Sequence, residues 1–366
     1  MNDRTTDRRF MRRALALALC GRGSTAPNPM VGAVVVRNGV VVGEGFTQPP
    51  GGAHAEAQAL LAAGDAARGA TLYATLEPCA NHGRTPPCAD AIIAAGVSRV
   101  VYAARDPNPV MRGGAEKLQA AGIDVLGGVD EQQALDQNPA FFHQFVSERL
   151  FVTLKLALSL DGAIAGGRRV AGWLTGPAAR REVHRQRGDH AAVAVGIGTV
   201  LADDPQLTVR GVRAPRLAPQ RVVFDRTGRL PMSSVLARTA ADVPVLVVGE
   251  SVSEERQRIL SASGIRVVQA AGLSAQLRAV RATGVTSLYC EGGATLADAL
   301  LAEGLVDRLV IFTAPVRLGA DALRPLQAGA PVPVEQATRH RLVSHRRMGD
   351  DLMAIYDLSA SVHRTR

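Results

Sequence analysis

Four side chains in the first third of the chain have the types and order to do chemistry together. His54 and Glu56 stand two positions apart, Cys79 follows Pro78, and Cys88 comes after eight intervening residues. One imidazole and two thiolates make three protein ligands, the number a catalytic zinc takes when its fourth position stays open for water. Glu56 is close enough to face that water without being a ligand, and can carry its proton to a departing amine. His-x-Glu followed by Pro-Cys and a second cysteine is the pattern of zinc deaminases, although two residues separate the cysteines there and eight do here, Ala80 through Pro87. Taken singly, each residue has a blander reading, a buried cysteine or a histidine at a helix start. Taken as four in this order, they point to hydrolytic loss of an amino group from a pyrimidine-type ring. The presence of Glu56 with only three ligands argues against a purely structural zinc.

The elements that must position this set can be read around it. A helix is expected to begin near His54 and end at Gly64, a strand over 71–76 delivers Pro78-Cys79, and a second helix over about 89–95 follows Cys88. Helix N-termini favour thiolates, because their unpaired amides stabilise negative charge. Upstream, Phe10, Met11, Ala14, Leu15, Ala18 and Leu19 recur at helical spacing and give an amphipathic first helix. The same run is too short for a secretory core, carries Asp7 in its charged region, and has a large Leu19 where cleavage before Cys20 needs a small residue. Strands over 30–36 and 40–46 meet at Asn38-Gly39, a tight-hairpin signal. A strand over 100–103, a helix over 116–121 and a strand over 123–126 complete an αββαβαβαβ order with helices covering a sheet.

A polar stretch over 130–137 leads into a connecting helix around 141–149, and the domain boundary is placed near Leu150. Beyond it, strands over 152–158, 191–195, 221–225, 245–248, 265–268, 287–290 and 309–313, with a helix near 178–187, predict a mostly parallel, doubly wound sheet. The Pro- and Arg-rich stretch 210–220 is read as an exposed loop. Gly196-Ile197-Gly198-Thr199 follows a strand, but Leu201 stands where a dinucleotide fingerprint has its third glycine. Glu291-Gly292-Gly293-Ala294-Thr295 also follows a strand and opens a helix, so its amides could cradle phosphate or simply make a tight turn.

Composition bounds the partners. A chain of 366 residues with 47% hydrophobic residues supports two packed cores, built mainly from aliphatic side chains since aromatics are 4%. A formal charge of +9 suits acidic partners, whether nucleic acid, anionic membrane or phosphorylated small molecules. The basic residues are spread out, with no basic run interleaved with aromatics, so no nucleic acid is expected. No apolar stretch reaches membrane-spanning length, so no membrane is expected either. Four cysteines in a chain of this size make no disulfide framework and fit a reducing, cytoplasmic compartment.

The inter-cysteine loop Gly83-Arg84-Thr85-Pro86-Pro87-Cys88, with Asn28-Pro29-Met30-Val31-Gly32 and Asp106-Pro107-Asn108-Pro109, resembles the bifunctional deaminase–reductase family of riboflavin biosynthesis. The resemblance continues through Lys155-Leu156-Ala157, Ser159-Leu160-Asp161-Gly162, Trp173-Leu174-Thr175-Gly176 and the run from Thr199 to Arg210. It implies an α/β chain made of an N-terminal cytidine-deaminase-like α/β/α domain (1–147) and a C-terminal dihydrofolate-reductase-like doubly wound domain (148–366). It implies deamination of 2,5-diamino-6-ribosylamino-4(3H)-pyrimidinone 5′-phosphate at Zn2+, then NADPH-dependent reduction of the ribosyl chain. By the same resemblance His54, Cys79 and Cys88 hold zinc, Glu56 shuttles protons, and Asn28, Arg84, Asp106 and Asn108 contact the base or phosphoribosyl arm. Trp173, Thr199, Asp203, Arg226, Gly293, Ala294 and Thr295 would line the cofactor, and Arg187, Leu207, Arg210 and Glu291 would contact the reductase substrate. A homo-oligomer acting on a phosphorylated pyrimidine is expected.

Several of these have alternatives from residue type alone. Asn28 and Asn108 adjoin prolines and suit turns, Arg187 and Arg210 suit a solvated surface, and Trp173 suits a core. Lys155 and Asp203 are both candidates for the proton donor of the reduction. Thr47 and Asn81 stand where the family often has histidine. Arg226 stands where it often has serine, and is expected to pair with the 2′-phosphate of NADPH.

Overall fold

Asn38 and Gly39 both take positive φ, 50° and 77°, and Arg37 faces Val40 across the turn. Two consecutive positive-φ residues are what a two-residue hairpin loop demands, because that turn twists in the same sense as its strands. The hairpin joins β1 (Gly32–Arg37) to β2 (Val40–Phe46), and a bulge between Val35 and Val36 bends it. The computed structural model describes residues 4–165, 173–326 and 333–359. The chain divides into two units, one ending at Val146 and the other beginning at Ser147.

In the first unit α1 (Arg4–Ala18) precedes the hairpin, and α2 (Ala55–Ala63), β3 (Thr71–Leu76), α3 (Cys88–Ala94), β4 (Arg99–Ala104), α4 (Gly114–Ala120), β5 (Asp124–Leu126), α5 (Glu131–Gln137) and α6 (Pro139–His143) follow. The sheet runs β2-β1-β3-β4-β5, antiparallel on both sides of β1 and parallel from β3 to β5. α2 lies almost on the backbone of β2. A Cβ at Gly43 would sit 2.1 Å from the Ala59 carbonyl oxygen, and one at Gly45 2.3 Å from that of Ala55. Only glycine allows that approach, and it fixes the start of α2, where His54 and Glu56 stand.

Three local expectations are corrected here. The polar stretch 130–137 is largely the helix α5, with Ala134 and Leu135 as its buried pair; two adjacent apolar residues leave no helical period to read. The connecting helix ends at His143 rather than continuing to 149. In the first helix Leu19 is 44% exposed and sits in a 3-10 turn, so the apolar face ends at Ala18.

The second unit contains β6 (Phe151–Leu158), α7 (Pro177–Gly188), β7 (Ala192–Gly196), α8 (Ile197–Asp203), β8 (Gln220–Phe224), α9 (Val235–Arg238), β9 (Val245–Gly249), α10 (Glu254–Ala262), β10 (Arg266–Gln269), α11 (Leu273–Ala282), β11 (Ser287–Cys290), α12 (Ala294–Ala302), β12 (Arg308–Thr313), β13 (Arg341–Met348) and β14 (Asp351–Asp357). Its sheet runs β10-β9-β8-β7-β11-β6-β12-β14-β13, parallel through β12 and closed by an antiparallel hairpin. β9 is buried along its whole length. Leu246 and Val248 enter one core, while Val245 and Val247 enter the other. Continuous apolar strands buried on both faces are the mark of a helix-covered parallel sheet. β13 departs from this: it is a partly exposed edge rich in basic residues, with no alternation to announce it.

Candidate functional site

β3 ends at Leu76 and the chain turns through Glu77 and Pro78 to place Cys79 beside the start of α2. His54 caps α2, and Cys88 is the first residue of α3. The Nδ1 of His54 lies 3.3 Å from the Cys88 Sγ and 3.7 Å from the Cys79 Sγ, and the three ligand atoms all lie within 4.8 Å of one another. Ligand atoms on a tetrahedral zinc with ordinary Zn–N and Zn–S lengths stand ~3.5 Å apart, and the two N···S distances bracket that. The donor set therefore fits zinc.

The electrostatics agree. The Cys79 thiol is held well below its ordinary range by its hydrogen bond with Cys88 and by His54, and the Cys88 amide donates to its Sγ at 3.2 Å. Cys88 is pushed up by Cys79 and by burial. Binding a divalent cation requires both sulfurs as thiolates, so it is linked to proton release. The Cys79 contact also raises the His54 imidazole. Glu56 is 4% exposed; burial, then the charge of Cys79, pushes its carboxyl up to about 7. A carboxyl poised there can both take and give a proton near neutrality.

Asp106 is buried and raised to about 6 by that burial, within electrostatic reach of His54 and Cys79. Its Oδ1 accepts the Asn108 amide at 2.9 Å, and the Asn108 Oδ1 accepts the Val110 amide at 3.0 Å, so both shape the turn they stand in. Asn28 donates its amide to the Thr25 carbonyl at 2.9 Å in a turn of its own. Arg84 is exposed and makes no ion pair among the described residues. Thr47 is buried with its hydroxyl engaged by the Val31 backbone, and the Asn81 Nδ2 donates to the Val110 carbonyl at 2.6 Å. Both positions hold structure together here.

Two positioning residues went unread in the sequence. The buried Glu77 accepts the amides of Asp106 at 3.2 Å and of Gly113 and Ala115 at 3.1 Å each, pinning the loop that carries Asp106 and Asn108. A charged residue between an apolar strand and a zinc ligand was its available signal. Asn138 grips both backbone groups of Met30, at 2.8 and 2.9 Å, and holds the segment following Asn28. No local pattern announces a contact 108 positions away.

In the second unit Arg187, on α7, meets Glu291, which follows β11; the two side chains are 9% and 13% exposed and bind through two nitrogens and two oxygens. The solvated-surface reading of Arg187 is thereby set aside. Lys155, on β6, is half-buried within electrostatic reach of this pair; desolvation lowers its ammonium and Glu291 opposes that. Burial raises the Glu291 carboxyl, and Arg187, with Lys155 and His184, more than reverses it. His184, one turn before Arg187, accepts the Arg210 amide on Nδ1 at 3.2 Å, and the Thr208 carbonyl nearby accepts from the Arg187 Nη1 at 2.8 Å.

Leu207 has φ of 53° and a side chain buried in the core. Arg210 is exposed and bonded to Gln206. Thr199 on α8 comes together with Gly293, the cap of α12, whose Cβ would stand 3.4 Å from the Thr199 hydroxyl; Ala294 and Thr295 open α12. Asp203 ends α8, exposed, and Arg226 follows β8, also exposed. Trp173 is 73% exposed with Arg180 stacked 5.3 Å from its ring centre, which rules out the core reading.

Both units match known protein families. Residues 4–104 match the cytidine and deoxycytidylate deaminase zinc-binding region, and residues 150–354 match the RibD C-terminal domain. The riboflavin biosynthesis protein RibD of Aquifex aeolicus is 40% identical over 356 residues, covering 96% of this chain and 99% of that one. The Escherichia coli RibD is 42% identical over 337 residues, covering 86% and 89%. Among solved structures, Acinetobacter baumannii RibD superposes with a TM-score of 0.84 at 37% identity, covering 97% of this chain and 99% of that one. A Thermotoga maritima diaminohydroxyphosphoribosylaminopyrimidine deaminase/5-amino-6-(5-phosphoribosylamino)uracil reductase superposes with a TM-score of 0.83 at 34% identity and the same coverage. The chain belongs to the RibD family, the bifunctional zinc-dependent deaminases and NADPH-dependent reductases of riboflavin biosynthesis.

Proposed function

We propose that the chain takes 2,5-diamino-6-ribosylamino-4(3H)-pyrimidinone 5′-phosphate through both steps, giving 5-amino-6-ribitylaminouracil 5′-phosphate. Residues 1–147 carry the deamination and 148–366 the reduction. The observation that carries the reading is the convergence of His54, Cys79 and Cys88 within 4.8 Å beside the buried Glu56.

Zinc supplies a Lewis acid that brings proton loss from water into the neutral range. The Glu56 carboxylate takes a proton from the attacking water and, as the carboxylic acid, gives it to the amine that leaves. Asp106 and Asn28 hold the ring edge, and Arg84 and Asn108 hold the phosphoribosyl arm. Arg84 suits the phosphate because, among the described residues, its guanidinium has no carboxylate to give up.

For the reduction, NADPH supplies hydride to the opened sugar carbon, and the protein positions and protonates. Thr199, Asp203 and the turn from Gly293 to Thr295 line the cofactor together with Trp173, and Arg226 meets its 2′-phosphate. Arg187, Leu207, Arg210 and Glu291 hold the substrate. Of the two proton-donor candidates, Lys155 is favoured over Asp203. Its ammonium is half-buried within electrostatic reach of Glu291, and desolvation makes it a readier acid, whereas Asp203 stands in solvent at the end of α8. The proposal includes a homo-oligomer in the cytoplasm, the first part measurable by light scattering. No helix of the described residues is long and apolar enough to cross a membrane.

The test is a coupled assay on the full chain. Glu56→Ala should abolish ammonia release and spare reduction of the pre-deaminated intermediate. Loss of both activities in a folded variant would sink the division into two sites.

A further inference from the structure

His54 has two ring nitrogens with separate tasks. Its Nδ1 faces both cysteine sulfurs, at 3.3 and 3.7 Å, and its Nε2 lies 3.2 Å from the Thr85 hydroxyl oxygen. A neutral imidazole carries one proton. If Nδ1 presents its lone pair to a metal, that proton stands on Nε2 and needs an acceptor. The hydroxyl of Thr85 is in place to be it.

We propose that Thr85 is a positioning residue for the zinc centre: it accepts the Nε2–H of His54, fixing the tautomer and the ring tilt that aim Nδ1 between Cys79 and Cys88. This rests on the assignment of those three residues as ligands. An outer partner of this kind raises the basicity of the ligating nitrogen and excludes the tautomer that cannot bind metal. The hydroxyl is half-buried and its backbone is held, since the Thr85 carbonyl accepts the Gly83 amide at 3.2 Å. Thr85 also stands next to Arg84, so one short loop carries both the prop for the zinc histidine and the cation assigned to phosphate. The Asn81–Val110 hydrogen bond ties that loop to the one bearing Asp106 and Asn108.

The experiment uses the full chain as Thr85→Val, Thr85→Ala and Thr85→Ser, with Cys79→Ser as control. Zinc affinity is read by competition with a chromophoric chelator, and site geometry by the visible spectrum of the cobalt-substituted protein. Circular dichroism checks the fold. Thr85→Val and Thr85→Ala should bind zinc about 10- to 100-fold more weakly with altered cobalt bands, and Thr85→Ser should recover the wild-type affinity and bands. Unchanged affinity and bands in the folded Val or Ala variant would overturn the proposal, as would a Ser variant as weak as they are. If Cys79→Ser keeps its zinc, the ligand assignment itself is wrong; if it loses zinc while Thr85→Val does not, only the role of Thr85 falls.

Discussion

The guanidinium of Arg187 and the carboxylate of Glu291 meet fork to fork, with Nη2 3.0 Å from Oε2, and so join α7 to the end of β11 in a nearly solvent-free setting. Removing one partner leaves the other charge buried and alone. Arg187→Ala should destabilise the second unit by about 3–5 kcal/mol, seen as a lower calorimetric transition. The double variant Arg187→Met/Glu291→Leu should recover much of that stability while remaining inactive in reduction. A double variant that regained activity would show that the pair serves structure alone.

Metal removal should separate the two reactions. Dialysis against a strong chelator is expected to stop deamination and leave reduction of the pre-deaminated intermediate within about 2-fold, since the three ligands all lie in the first unit. Parallel loss of both rates would contradict this.

Trp173 is the only tryptophan in the chain, so its emission reports one place. Exposed and stacked with Arg180, it should be strongly quenched when NADPH binds, with energy transfer to the nicotinamide. Titration that leaves the emission unchanged at saturating NADPH would remove Trp173 from the cofactor site.

Arg226→Glu should raise KM for NADPH at least about 10-fold, the worth of one charge-assisted pair, and change KM for NADH much less. Equal effects on both cofactors would sink the pairing with the 2′-phosphate.

Acid sensitivity of the first unit should centre on Asp7. Arg99 hydrogen-bonds its carboxylate at 2.7 and 2.9 Å and holds it below the ordinary value of 3.8 against the pull of burial, with Tyr73 adding a hydrogen bond at 2.9 Å. A depressed carboxyl contributes stability that is full above the unfolded value and lost as pH falls through the folded one. Urea midpoints of the first unit should therefore drop below pH ~4. Asp7→Asn should cost about 3 kcal/mol at neutral pH and flatten that drop. An unchanged acid limb in the variant would refute the assignment.

What the sequence made legible depended on how local the cause was. The Asn38-Gly39 turn is decided by two residues, and the zinc set by four with strict chemical requirements, so both could be read directly. The continuous apolar strands from β6 to β12 announced a covered parallel sheet. The hairpin of β13 and β14 did not, because an edge strand with basic residues has neither alternation nor a buried run. Nor did the grip of Asn138 on Met30 or of Glu77 on its loop, since each is a side chain meeting distant backbone. Thr47 and Asn81 show the reverse case. The resemblance marked them only as departures from the family's histidines, whereas each is spent on holding a neighbouring segment.

The grip of Glu77 has a further consequence. Its three bonds go to main-chain amides, those of Asp106, Gly113 and Ala115. The shape of the segment between them is thus set largely by its backbone, and the side chains at 109–112 are not used by that anchor. Exchanges there that keep the backbone path should leave Asp106 where Glu77 holds it. Glu77 thus mounts the segment independently of the side chains it carries.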